Sequence, residues 1–129
     1  MDERLFRHGA FSWFELMTGD VEGAGDFYGR LFGWTVEKME MQNGMTYNVV
    51  KVNGEAAGGI MAMPPQAGAM PSMWGIYVTV DDVDATASAV KDMGGQVLMG
   101  PQDIPEVGRF CVIQDPQGAV LSVITYKAM

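Results

Sequence analysis

The sequence predicts an α+β fold in which one strand–helix–three-strand module occurs twice. Three observations lead there. The segment 20–33 lines up with the segment 82–95 at an offset of 62 residues, each opening on Asp-Val-acidic and closing on Gly. Each segment is preceded by an extended apolar stretch and followed by further strand-like runs. A proline-rich joint at 63–73 separates the two halves.

The first module, 10–62, opens with a strand at 10–17. A helix follows, with Val21, Ala24, Phe27, Tyr28 and Leu31 at the spacing of one apolar face. Asp20 is its N-cap, Glu22 suits the positive end of the helix dipole, and Gly33 marks the stop. Strands are expected at 34–40, 45–52 and 56–62, joined by turns at Asn43-Gly44 and Asn53-Gly54. The second module, 74–126, repeats the order: a strand at 74–80, then a helix carrying Val83, Ala87, Val90 and Met93 or Gly94 on one face, capped by Asp82 and stopped at Gly95. Strands at 96–99, 109–114 and 119–126 complete it, with a turn at Asp115–Gly118. Each half is too small to be stable alone, so residues 1–129 are expected to fold as one domain.

Composition narrows the function classes. A net charge of −8 with no basic cluster argues against nucleic acid. No apolar run is long enough to span a bilayer, and the charged start, Met1–His8, lacks the apolar region of a signal peptide. No membrane partner is therefore expected. One cysteine, Cys111, excludes an internal disulfide and suits the reducing cytoplasm. Twelve methionines fit either a loosely filled core or a permissive apolar pocket.

The segment Gly19–Trp34 resembles the opening helix of the glyoxalase/bleomycin-resistance/extradiol-dioxygenase (vicinal oxygen chelate) superfamily. Val80–Ala85, Gly94–Val97 and Asp115–Ala119 resemble its second-half signatures. The resemblance covers residues 10–126 and implies that the modules curl a mixed sheet into a cup around a ligand cavity. It also implies where metal ligands belong: seven residues before each helix-capping Asp, seven after the Asp of the Asp-Pro-x-Gly turn, and near the last strand of the first half. Those positions hold Trp13, Gly75, Ser122 and the pair Gly58 and Gly59. An indole offers only an N–H donor, glycine offers nothing, and a serine hydroxyl is a weak neutral ligand. The expectation is a family member without metal or other cofactor.

If position 13 faces the cup, strand alternation assigns Phe11, Trp13 and Glu15 to that face, and Ser12, Phe14 and Leu16 to the helix side. Tyr77, Thr79 and Gly75 follow on the second-half strand, and Val120, Ser122 and Ile124 on the last. The lining is apolar with few polar handles, as small-molecule pockets are. Glu15 would there seek a cationic ligand or Arg109, and is the candidate acid/base. Trp13 and Trp74 read more readily as core or dimer-interface aromatics than as ligand platforms, Tyr47 and Tyr77 as ordinary strand residues, Cys111 as a buried small hydrophobe, and His8 as solvated.

Three functions compete. The first is metal-free binding of a small, mostly apolar organic molecule. The second is a lyase or isomerase using Glu15. The third is an interaction subunit with a filled cavity. A homodimer is expected in each case, as symmetric dimers are the commonest assembly.

Overall fold

The two Asp-Val-acidic segments nucleate helices because each aspartate satisfies orphan N–H groups of its first turn. Asp20 accepts from the Gly23 N–H at 2.9 Å, and Asp82 from Asp84 and Ala85 at 3.0 and 3.2 Å. Helix α1 runs Val21–Phe32 and α2 runs Val83–Asp92. The computed structural model describes residues 3–40, 46–63, 71–104 and 107–127. The chain divides into two units, Trp13–Gly75, and Ile76–Met129 together with Met1–Ser12.

The strands are β1 (Phe11–Thr18), β2 (Thr35–Glu40), β3 (Thr46–Val52), β4 (Glu55–Ala62), β5 (Met73–Thr79), β6 (Gln96–Ile104), β7 (Gly108–Gln114) and β8 (Val120–Tyr126). In the first unit the order is β2-β3-β4-β1, with β1 parallel to β4 and the other pairs antiparallel. In the second it is β6-β7-β8-β5, with β5 parallel to β8 and the others antiparallel. The repeat read in the sequence is thus a repeat of topology, and the α+β class follows from it.

Each unit has its own core under its helix. In the first, Leu16, Val50 and Ile60 are buried against Val21, Ala24, Tyr28 and Trp34. In the second, Val80, Val83, Ala87, Cys111 and Val123 form the centre, with Val97, Ile113 and Leu121 packed around them. Each fully buried aliphatic side chain contributes about 1.5–3 kcal/mol.

The structure departs from the sequence reading in five places. Phe27 and Leu31 were expected in the core stripe of α1 but are 60% and 58% exposed. They flank the Ala24–Tyr28 line that contacts the sheet, since residues 3.6 per turn apart drift off a single stripe. Met93 is likewise exposed, lying past the end of α2. The second helix is stopped by Gly94, which takes the left-handed φ of 89°, and not by Gly95. Strand β6 extends five residues beyond 99, because it passes through Pro101 by shifting register against β7. A 3₁₀ turn at Glu3–Phe6 was not anticipated. The Asn53-Gly54 turn is present with both φ values positive, as two-residue hairpins require. The Asn43-Gly44 turn and most of the 63–73 joint lie outside the described residues.

Candidate functional site

The sheet of the first unit has one face under α1, carrying Leu16, Val50 and Ile60. Strand pairing fixes what lies on the other face. Glu15 is opposite Gly59 and Met17 opposite Met61, while Val49 pairs with Gly59 and Met39 with Tyr47. That face therefore carries Trp13, Glu15, Met17, Met39, Tyr47, Val49 and Met61, with Glu37 beside Val49 on β2. Three of its methionines, Met17, Met39 and Met61, give it the adaptable apolar character that the composition hinted at.

A hydrogen-bond chain crosses this face. The Trp13 indole Nε1–H donates to Tyr47 Oη at 2.9 Å, and Tyr47 Oη donates to Glu15 Oε2 at 2.8 Å. The direction is set at its first link. Indole nitrogen can only donate, so the phenol oxygen accepts there and spends its own proton on the carboxylate. Glu15, only 8% exposed, is thereby held as an acceptor on Oε2.

Tyr47 reaches Glu15 from two strands away, and Gly59 makes this possible. A Cβ at position 59 would stand 1.7 Å from Tyr47 Oη and 2.2 Å from Cζ. The phenol ring lies across β4 where only a glycine leaves room. From sequence, Tyr47 reads only as an ordinary strand residue, and Gly59 only as one of the pair at a family metal position. The available signal was Gly58-Gly59 inside a strand, a pattern that marks close approach of another group.

In the second unit, Val123 and Cys111 face α2. The opposite face holds Tyr77 paired with Ser122, and Thr79 paired with Ile124, with Phe110 beside Ile124 on β7. The Tyr77 and Phe110 rings are 6.4 Å apart. Thr79 donates its hydroxyl to the Leu5 carbonyl, so it holds the N-terminal 3₁₀ turn. Phe6 from that turn packs edge-on against Tyr126, whose hydroxyl bonds Ser12 at 2.8 Å. Burial pushes the Tyr126 phenol up, and the Ser12 bond opposes this. Ile124 is buried, Ser122 half-buried, and Phe11 and Val120 exposed.

Arg109, considered from sequence as a partner for Glu15, is committed elsewhere. It grips Asp84 with two bonds of 2.8 and 3.0 Å and Asp103, its cross-strand neighbour, with one of 3.0 Å. Those hydrogen bonds hold the Asp84 carboxyl below the usual carboxylate range. Cys111 is fully buried; desolvation, then the charge of Asp84, pushes its thiol up. His8, expected only to be solvated, is exposed but accepts the Asp81 N–H on Nδ1 at 3.0 Å. Trp74 donates to Tyr28 at 3.2 Å.

The residues at the family's metal positions do not fit a divalent cation. The Trp13 N–H points its proton at Tyr47, Gly59 lies under the Tyr47 ring, Gly75 has no donor, and Ser122 is neutral. Among the described residues no three His, Cys, Asp or Glu side chains group as a metal site. Among the same residues no helix is long and apolar enough to cross a membrane.

Comparison with known proteins agrees with the fold. The chain is 45% identical over 116 residues to the Mycobacterium tuberculosis protein CFP32, named as a candidate glyoxylase, covering 90% of this chain and 44% of that one. It is 33% identical over 130 residues to the anthracycline biosynthesis protein DnrV of Streptomyces peucetius, covering 92% and 47%. The chain thus spans less than half the length of these two relatives. A Streptomyces coelicolor methylmalonyl-CoA epimerase in complex with 2-nitronate-propionyl-CoA has the same fold, with a TM-score of 0.67 at 18% identity over 95% of this chain and 100% of that one. The model of the Glyoxalase/Bleomycin resistance protein/Dioxygenase superfamily matches residues 10–123. With its module order, its register and that match, the chain belongs to this superfamily.

Proposed function

We propose that the chain binds a small, mostly apolar organic molecule without a metal, on the face of the first unit that carries Trp13, Tyr47 and Glu15. The observation that carries this reading is the hydrogen-bond chain laid over Gly59. It orients the indole and phenol rings beside a carboxylate on a methionine-rich surface. Rigid aromatics give stacking area at low entropic cost, and the thioethers adapt to the rest of the ligand. The name of the anthracycline biosynthesis relative points to planar aromatic compounds as the class to try first. In the second unit, Tyr77, Phe110 and Ser122 offer a similar mixture of ring surface and hydroxyl groups. The lone buried Cys111 fits a cytoplasmic setting.

A second reading is supported by Glu15 itself. A buried carboxylate with a fixed hydrogen-bond donor can remove a proton from a bound substrate, as a metal-free lyase or isomerase would need.

The test is tryptophan fluorescence titration with an anthracycline and a panel of planar aromatic compounds. Trp13→Ala should weaken binding by at least tenfold, while Trp34→Ala, on the α1 side of the sheet, should leave it within threefold. Equal losses in the two variants, or no binding across the panel, would overturn the binding reading. Solvent deuterium appearing on a bound ligand in the wild type but not in Glu15→Gln would favour the enzyme.

A further inference from the structure

Strand β3 brings a cation to the face that carries Trp13, Tyr47 and Glu15. Lys51 stands two residues beyond Val49 and pairs with Thr35 in the unbroken β2–β3 register, so it shares the face of Val49 and Glu37. Among the described residues of the first unit it is the only lysine or arginine there. Lys38 lies on the α1 side, 3.8 Å from Glu22, and Arg30 belongs to the last turn of α1. Lysine is a poor strand former, and this one sits where the β3–β4 register shifts: Val50 pairs with Gly58, but Lys51 pairs with Ala56. Bulges of this kind re-aim a side chain. The Lys51 ammonium meets the Glu37 carboxylate at 2.6 Å.

The two partners are unequally placed. The Lys51 side chain is 30% exposed and that of Glu37 is 55% exposed. Releasing Glu37 returns a carboxylate largely to water, whereas leaving Lys51 alone would strand a mostly covered cation. One carboxylate can therefore replace another on this ammonium at little cost. The ground between Lys51 and Trp13 is open, because the strand between them contributes Ala56 and Ala57, no larger than a methyl. From β1 to β3 is two strand spacings, about 10 Å, which a planar molecule of about two or three fused rings spans.

We infer that Lys51 is a specificity-determining residue of this face, and that the ligand carries a carboxylate which displaces Glu37 and pairs with the Lys51 ammonium while its rings lie against Trp13 and Tyr47. The inference rests on the binding reading above and adds the ligand's charge to it. The direction of the ligand follows. Glu15 on β1 offers acceptor oxygens, which an anion avoids, so the acidic end points toward β3 and β2. The chain's overall charge of −8 disfavours anions in general, so a preference for an acid has to come from this local cation.

The experiment is calorimetric titration of the full chain at neutral pH with naphthalene and anthracene carboxylic acids. Each is run beside its carboxamide, a neutral molecule of the same shape. The acid should bind about tenfold tighter than the amide, the worth of one charge-assisted bond at a partly screened site. In Lys51→Met the two should bind alike, and Lys51→Arg, which keeps the charge, should retain most of the preference. Lys38→Met removes the same charge from the α1 side and should leave the preference at its wild-type value. Glu37→Gln removes the competing carboxylate and should tighten the acid about threefold further, with no matching gain for the amide. An amide that binds as tightly as its acid, a preference that survives Lys51→Met, or one lost equally in Lys38→Met would overturn the assignment. The amide also separates this inference from the reading beneath it. If it binds and depends on Trp13 while the acid gains nothing, the binding face stands and the role of Lys51 falls. No binding of either compound overturns both.

Discussion

Replacing Gly59 by alanine tests the hydrogen-bond chain at its support. The new Cβ would lie 1.7 Å from Tyr47 Oη and 2.8 Å from Cε2, so the ring must leave its place over β4. Moving it breaks the bonds to Trp13 at 2.9 Å and to Glu15 at 2.8 Å. The neutral bond is worth about 1 kcal/mol and the bond to the carboxylate about 1.5–3 kcal/mol. Reduced freedom of the unfolded chain returns about 0.5–1 kcal/mol to the alanine variant. The net expectation is a loss of about 2–3 kcal/mol in urea unfolding, with the slope unchanged. Gly19→Ala is the control, since nothing lies within 4 Å of its added Cβ, and it should stay within about 0.5 kcal/mol of wild type. The cause is isolated by repeating Gly59→Ala in a Tyr47→Ala background, where the clash is gone and the substitution should be neutral or slightly stabilising. A Gly59→Ala penalty below the control range, or one that persists without the tyrosine, would refute the argument.

Two further outcomes follow from the second unit. Cys111, buried and with its thiol pushed up by desolvation, should react with Ellman's reagent at pH 8 on the order of 100-fold more slowly in the native protein than in denaturant. Comparable rates would show that the core around α2 opens readily. The Asp84 carboxyl is held low by its hydrogen bonds from Arg109, so its stabilising contribution is complete above the ordinary carboxylate range and is lost as pH falls through the folded value. Arg109→Gln should therefore be less stable than wild type at pH 7, with the gap closing on acidification below pH 4. A gap that does not change with pH would mean that Arg109 acts through packing and not charge.

How far the sequence reached can be judged from particular residues. Caps and turns depend on chemistry within a few positions, so Asp20, Asp82 and the Asn53-Gly54 hairpin were legible directly. Strand alternation is equally local, and with position 13 anchored by the family pattern it put Trp13 and Glu15 on the face away from α1. The absence of metal donors at Trp13, Gly75 and Ser122 was visible once the family pattern was laid on the chain. Packing decided the rest. Whether Phe27 sits in the core or beside it depends on which line of α1 meets the sheet, and packing chose the line of Val21, Ala24 and Tyr28. Gly94 and not Gly95 stops the second helix because it is Gly94 that takes the left-handed φ of 89°; Gly95 is a glycine for another reason, since a Cβ there would stand 2.7 Å from the Gln114 carbonyl on a distant strand. Tyr47 became part of the site through strand register, which brings it within 2.8 Å of a carboxylate 32 residues away over a glycine on the strand between. Local chemistry fixes elements and the faces they present. Which side chains meet across strands is set by register and shape, and those exist only when the chain is folded.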